Sequence, residues 1–289
     1  MDLFIKAHAK INLALEVTGI RDDGYHGLRT VMQTVCLHDQ IALRRIQKKR
    51  VELVCGTAHL PVDERNLAYR AAQYLRKTYD LPGGLFISLR KNIPISAGLA
   101  GGSSDCAAVI LGMNRLYGLK LTENVLMETG LKFGADVPFC LFGGTALAEG
   151  KGEILTRLPS HPPVCVIIAK PRASISTAVV FKAYDSVKHT GGKNIDNLIH
   201  SINNGEVHGI ADGFYNALED VSIDICPDIA KLKKTYTDLG AMGALMSGSG
   251  PSVFAYFSDE SRAYGAMKGI NREMPHVRQF LTGIYNVTK

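Results

Sequence analysis

Apolar and polar positions alternate over Phe4–Val17, a period of two that predicts one or two β-strands. The same alternation returns over Thr30–Leu37, Gln40–Arg45, Val51–Cys55 and Leu85–Leu89. Helical spacing replaces it over Asn66–Tyr79, where Leu67, Ala68, Ala71, Ala72 and Leu75 share one face behind Asn66, a natural N-cap. A second helical run begins near Cys106 and ends about Tyr117. Thr122 starts a short third helix, and Gly134–Cys140 reads as a small buried turn around Asp136.

Further strands are predicted near Thr145–Glu149 and Glu153–Leu158, before Pro159-Ser160-His161-Pro162-Pro163, the best linker candidate. Beyond it, Val164–Ala169 reads as a buried strand and Thr177–Tyr184 as a short helix. Asn194–Asn203 and Gly209–Ala217 read as helical, and Asp228–Leu239 is a helix between Pro227 and Gly240. Strands at Ala244–Met246 and Val253–Phe257 flank a glycine-rich turn; a helix capped by Asp259 and a strand over Val277–Tyr285 close the chain. The architecture is α+β in two halves, with domains over residues 1–159 and 160–289.

Composition narrows the class. The chain has 289 residues, 46% hydrophobic and 21% charged, ordinary for a soluble globular protein. No apolar run is long enough to span a bilayer, and the N-terminal stretch lacks the apolar core of a signal peptide. The six cysteines are scattered without a C-x-x-C pair, which suits reduced thiols in the cytoplasm better than a disulfide framework or zinc site. The net charge of +6 is densest in Arg44–Arg50, a solvated hairpin tip rather than a nucleic-acid surface, which would need a basic face with aromatic partners. A mild positive bias fits a substrate rich in phosphate. No nucleic-acid or membrane partner is expected.

The stretch Pro94-Ile95-Ser96-Ala97-Gly98-Leu99-Ala100-Gly101-Gly102-Ser103-Ser104 joins a strand to a helix. Glycine lets backbone pass close to a ligand, Ser103 or Ser104 can cap the helix, and free N–H groups at a helix start bind phosphate. Gly101 and Gly102 leave room for it. A plain strand–turn–helix joint also needs glycine and a capping serine, so this stretch alone leaves both readings open. It is neither a Walker A loop nor G-x-G-x-x-G.

Four other places offer chemistry. Ser247-Gly248-Ser249-Gly250-Pro251-Ser252 is either a tight hairpin or a second close approach of backbone to a ligand. Asp136, in Gly134-Ala135-Asp136-Val137-Pro138, is either a helix cap or a catalytic base. Lys10, beside Asn12, is either an exposed strand lysine or a charged partner in a site. Tyr25-His26 after Asp22-Asp23-Gly24 are either surface residues or a wall for a flat ligand. Together they supply the parts of a phosphoryl-transfer site, where positioning and electrostatics do most of the catalysis.

The cradle resembles the second motif of the GHMP kinases (galactokinase, homoserine kinase, mevalonate kinase, phosphomevalonate kinase), and Met246–Ser252 resembles their third. Ala9-Lys10-Ile11-Asn12-Leu13, Arg21-Asp22-Asp23-Gly24-Tyr25-His26 and Gly134-Ala135-Asp136-Val137-Pro138 match in family order. The resemblance implies an N-terminal domain like domain 2 of ribosomal protein S5, a ferredoxin-like C-terminal domain and a site between them. It implies MgATP-dependent phosphorylation of a hydroxyl on a cytidine diphosphate-linked methylerythritol, in non-mevalonate isoprenoid synthesis, by a monomer or homodimer.

By the same resemblance Asp136 is the base and Lys10 its charged neighbour, while Pro94 to Ser104 hold ATP and Asn66 lies on the adenine side. Asn12 and Thr177 contact the acceptor, Tyr25 and Phe181 sandwich its cytosine, and His26 reads the cytosine edge. The metal ligands are not specified. Two positions depart from the family pattern: Gly27 replaces a larger residue, and Ala100 replaces a glycine. The alternatives are another small-alcohol kinase of the superfamily, against which the Asp-Gly-Tyr-His loop argues, or a nucleotide-binding regulator without turnover, against which Lys10 and Asp136 argue.

Overall fold

The computed structural model describes residues 2–187 and 194–287. From the N-terminus run β1 (Leu3–Ile20), β2 (His26–Ile46), β3 (Val51–Cys55), α1 (Leu67–Thr78), β4 (Gly84–Arg90) and α2 (Gly101–Leu116). Next come α3 (Glu123–Leu131), α4 (Asp136–Phe142), β5 (Thr145–Gly150), β6 (Ile154–Arg157), β7 (Cys165–Lys170) and α5 (Thr177–Asp185). Then follow α6 (Ile195–Asn204), α7 (Val207–Asp212), β8 (Tyr215–Asn216), α8 (Glu219–Ile225) and α9 (Asp228–Asp238). The last elements are β9 (Gly243–Met246), β10 (Val253–Phe257), α10 (Glu260–Glu273) and β11 (Arg278–Gly283).

The chain forms two compact units that interleave along the sequence. The first is Met1–Ala9, Leu37–Ile95 and Ala100–Phe142; the second is Lys10–Cys36, Ser96–Leu99 and Gly143–Lys289. Strands β1 and β2 are long enough for each to feed both units, so residue 160 falls inside the second.

In the first unit β4 pairs antiparallel with the end of β2, Gln40 opposite Arg90 through Ile46 opposite Gly84, and parallel with β3. A parallel neighbour needs a crossover, which α1 supplies. Leu43, Leu53, Leu85 and Ile87 from the strands bury with Ala71, Ala72 and Leu75 of α1 and Val109, Ile110 and Met113 of α2. Helix α2 lies so close to the strands that a Cβ on Gly112 would sit 2.3 Å from Leu43 Cδ1 and 2.4 Å from Ile5 Cδ1.

In the second unit β8 adds parallel to β1 at Ala14 and Leu15, and β5 pairs with the start of β2. A separate antiparallel sheet has the order β11-β7-β10-β9. Every residue of β10 is buried, which explains its unbroken apolar run Val253–Phe257. Helices α9 and α10 cover this sheet through Ile229, Leu232, Ala263, Ala266 and Ile270.

Several readings change. Thr30–Leu37 and Gln40–Arg45 are one strand, because Asp39 is wholly buried and bonded rather than turned to water. The loop expected over Gly19–Gly27 contracts to a turn at Arg21–Tyr25, with His26 and Gly27 already in β2. The turn around Asp136 is a short helix, α4. Gly209–Ala217 is helical only to Asp212; Tyr215 and Asn216 pair with β1 instead. His161 anchors the expected linker: it is buried, with Nε2 3.2 Å from the Tyr256 hydroxyl. All six cysteines are free thiols, of which only Cys106 and Cys226 are buried. Among the described residues no helix is long and apolar enough to cross a membrane.

Candidate active site

In the second unit, Lys10 is buried and aimed by a chain of hydrogen bonds. Its Nζ donates to Asn12 Oδ1 at 2.7 Å, Asn12 Nδ2 donates to Thr30 Oγ1 at 2.8 Å, and Thr30 Oγ1 donates to the Ala14 carbonyl at 2.5 Å. A buried ammonium without such partners is expensive, and Lys10 is not an exposed strand lysine. The two glycine-rich segments meet here. Ser247 Oγ donates to the Gly98 carbonyl at 3.0 Å, and the Lys10 N–H donates to the Leu99 carbonyl at 3.2 Å. A Cβ on Gly248 would lie 3.4 Å from Asn12 Oδ1 and 3.5 Å from Lys10 Nζ. Ser247–Ser252 is the hairpin loop between antiparallel β9 and β10, and its backbone at Gly248 packs against Lys10 and Asn12. The Thr177 hydroxyl joins the group, 2.9 Å from that of Ser249.

The same unit holds the aromatic residues. Phe181, on α5, stacks on His26 with ring centroids 4.4 Å apart and planes 23° apart, and His26 Nε2 lies 2.7 Å from Asp185 Oδ1. Tyr25, on the turn just before His26, is 63% exposed. A Cβ on Gly27 would lie 2.5 Å from Thr18 Oγ1, so with Thr18 in place the position has no room for a side chain.

In the first unit α2 opens without a side-chain cap. Ala100, the residue before it, is left-handed at φ 55°, and Ser104 Oγ instead donates to the His8 carbonyl at 2.6 Å. The capping role expected of Ser103 or Ser104 is thus not taken, which leaves the first N–H groups of α2 to other partners. Ala100 is strained where glycine would not be, by about 1–2 kcal/mol. The two glycines differ. A Cβ on Gly101 would meet Ile93 Cγ2 at 3.1 Å and Lys91 Nζ at 3.3 Å, whereas one on Gly102 would have only Leu67 Cδ1, at 4.0 Å. Only Gly102 faces open space.

Asn66 does cap α1, accepting from the Ala68 N–H at 2.9 Å while its Nδ2 donates to the Pro61 carbonyl at 2.8 Å. Asp136 is half-buried and opens α4, where a negative charge suits the helix dipole.

Sequence reasoning missed two groups. Under Gly101, Lys91 Nζ bridges Asp39 and Asp105 (2.6 Å to Asp105 Oδ2), all three side chains nearly inaccessible. Asp39 Oδ1 also accepts from the N–H groups of Asn92 and Ile93, at 2.5 and 2.8 Å. Burial, reinforced by Asp39, raises the Asp105 carboxyl well above the usual carboxylate range, although Lys91 pulls it down. Burial also works against the Lys91 ammonium, but the two carboxylates outweigh it and its pKa rises. The second group is Asn216, whose Nδ2 donates to the carbonyls of Met246 and Gly248 at 2.9 and 2.8 Å, bracing the third motif. Neither group has a local sequence signal, because its partners lie far along the chain.

The family described as GHMP kinases N terminal domain matches residues 66–144, and GHMP kinases C terminal matches residues 194–276. The chain belongs to the GHMP kinases. Among curated relatives, the 4-diphosphocytidyl-2-C-methyl-D-erythritol kinase of Caldicellulosiruptor saccharolyticus is 43% identical over 279 residues, 96% of this chain and 95% of its own. That of Lachnospira eligens is 44% identical over 278 residues, 96% of each chain. A crystal structure of 4-(cytidine 5'-diphospho)-2C-methyl-D-erythritol kinase superposes with a TM-score of 0.83 at 30% identity, over 99% of this chain and 100% of the other.

Proposed function

We propose that this protein is an ATP-dependent kinase that phosphorylates the 2-hydroxyl of 4-diphosphocytidyl-2-C-methyl-D-erythritol in the non-mevalonate isoprenoid pathway. The observation that carries this reading is the buried Lys10–Asn12–Thr30 relay against the Gly98 and Gly248 backbones, in a chain 43% identical to such kinases over nearly its whole length.

The cradle from Pro94 to Ser104 takes the nucleotide phosphates, with the open face at Gly102 and the uncapped N–H groups of α2 as donors. Asn66, whose Oδ1 caps α1 while its Nδ2 is tied to the Pro61 carbonyl, offers the start of α1 to the adenine side. Asp136 accepts the proton as the hydroxyl oxygen bonds the γ-phosphorus and the bond to the β-phosphate oxygen breaks, releasing ADP. Lys10, oriented by Asn12, offsets negative charge in the transition state. Tyr25 and Phe181 flank the cytosine, His26 reads its edge, and Thr177 contacts the acceptor. Mg²⁺ bound with the nucleotide would supply charge neutralisation on its phosphates.

The proposed division at residue 160 lies in the interval between the two family matches, which end at 144 and resume at 194. A cytoplasmic monomer or homodimer without nucleic-acid or membrane partners completes the reading. ADP release measured with the cytidylyl acceptor, homoserine and mevalonate side by side tests it. Turnover with the first alone is expected; preference for either of the others, or no turnover, overturns it.

A further inference from the structure

We propose that Lys151 is a positioning residue for acceptor binding: it holds the Tyr25 ring ready to stack on a pyrimidine. This rests on the reading of Tyr25 as the acceptor's stacking partner and adds a residue that reading does not contain. Tyr25 ends a short turn closed by Arg21 N–H to the Tyr25 carbonyl at 2.8 Å and Gly24 N–H to the Arg21 carbonyl at 3.0 Å. The turn fixes the backbone but not the ring, which is 63% exposed. An exposed ring on a turn has free rotamers, and binding a base on it would freeze them.

Lys151 enters from a different turn, between β5 and β6, where its own N–H donates to Glu153 Oε2 at 2.5 Å. Its ammonium lies 4.5 Å from the centroid of the Tyr25 ring and 2.9 Å from Asp23 Oδ2. Asp23 Oδ1 in turn accepts from the Tyr25 N–H at 3.1 Å. One carboxylate therefore ties the Tyr25 backbone to the cation that covers the Tyr25 ring. The hydrogen bond from Lys151, the largest influence on it, holds the Asp23 carboxyl below its usual range, so the pair persists at neutral pH. An ammonium over a tyrosine face is attractive, and the ring is pre-set before the acceptor arrives.

Lys151→Gln removes the charge at a surface turn. The acceptor KM should rise about 2- to 12-fold, the loss expected for one side chain no longer pre-ordered. ATP affinity and kcat should stay near wild type, and Lys151→Arg should restore the acceptor KM. In a Tyr25→Ala background, Lys151→Gln should change nothing further. Ligand-free NMR should show the Tyr25 χ1 restricted in wild type and averaged in Lys151→Gln. Any of three results overturns the proposal: an unchanged acceptor KM, a further loss in the Tyr25→Ala background, or an averaged ring already in wild type. The second would mean that Lys151 meets the diphosphate itself. A wild-type protein with a restricted ring that ignores the cytidylyl acceptor would instead sink the assigned substrate.

Discussion

The Ser247 hydroxyl donates to the Gly98 carbonyl across 3.0 Å, joining two glycine-rich segments 149 residues apart. Gly98 is left-handed at φ +72°, and a Cβ on it would stand 2.1 Å from the Ser247 carbonyl oxygen. No side chain fits without moving the backbone of the third motif away from Lys10. Gly98→Ala should therefore destabilise the protein by at least the left-handed penalty of about 1–2 kcal/mol and lower kcat/KM for ATP. Ser247→Ala, which removes one hydrogen bond, should cost about 1 kcal/mol. Thermal melting of the two variants checks the order; a Gly98→Ala protein as stable as wild type would refute the contact.

The cradle glycines should separate ligand from fold. Gly102→Val adds a side chain toward open space, since the nearest atom to a Cβ there is 4.0 Å away. It should melt like wild type and lose ATP binding by calorimetry. Gly101→Val pushes on Ile93 and Lys91 instead, within 3.1 and 3.3 Å, and should lose stability first. The reverse pattern would place the phosphates on the other face of the turn.

The Lys91 cluster should make stability depend on pH. The folded Asp105 carboxyl is raised above its unfolded value, so folding favours its protonated form. That contribution is complete below the usual carboxylate range and is lost as pH climbs through the raised folded value. Asp105→Asn, which leaves Lys91 with Asp39 alone, should flatten the decline and equal or exceed wild type at alkaline pH. Lys91→Met leaves the Asp39 carboxylate buried beside Asp105 without its cation and should cost about 3–5 kcal/mol. Urea melts from pH 5 to 8 read both; an unchanged slope in Asp105→Asn would assign the titration elsewhere.

What the sequence made legible is local. Asn66, Thr122 and Asp259 each cap the helix they precede, because a cap needs only a side chain two or three residues from its N–H. The glycine-rich motifs and the family order of Lys10, Asp136 and Ser247 were legible for the same reason. The break between Leu37 and Gln40 is absent because Asp39 there is held by Lys91, Asn92 and Ile93, partners remote in sequence. Strand β8 was hidden because two residues carry no period, and its partner Leu15 is remote in sequence. The strain at Ala100 was legible only through the resemblance, in which this alanine replaces a glycine: positive φ is the condition under which that replacement costs something, and Ala100 has φ 55°.

Asp136 is the proposed base for the chemical step. It opens α4, so its carboxylate is placed either to stabilise that helix start or to take a proton. The acceptor hydroxyl is a poor nucleophile, and a positioned carboxylate typically contributes about 10²–10⁴-fold. Asp136→Asn keeps the shape and removes the base, so kcat in single-turnover measurement should fall at least about 100-fold while ATP and acceptor still bind. Lys10→Ala should also lower kcat, and it should loosen Asn12, whose Oδ1 it bonds at 2.7 Å. A helix-start role predicts the opposite for Asp136→Asn: asparagine serves a helix N-terminus nearly as well, so activity would stay within a few-fold of wild type, with at most a small loss of stability. That outcome would move the base to another residue.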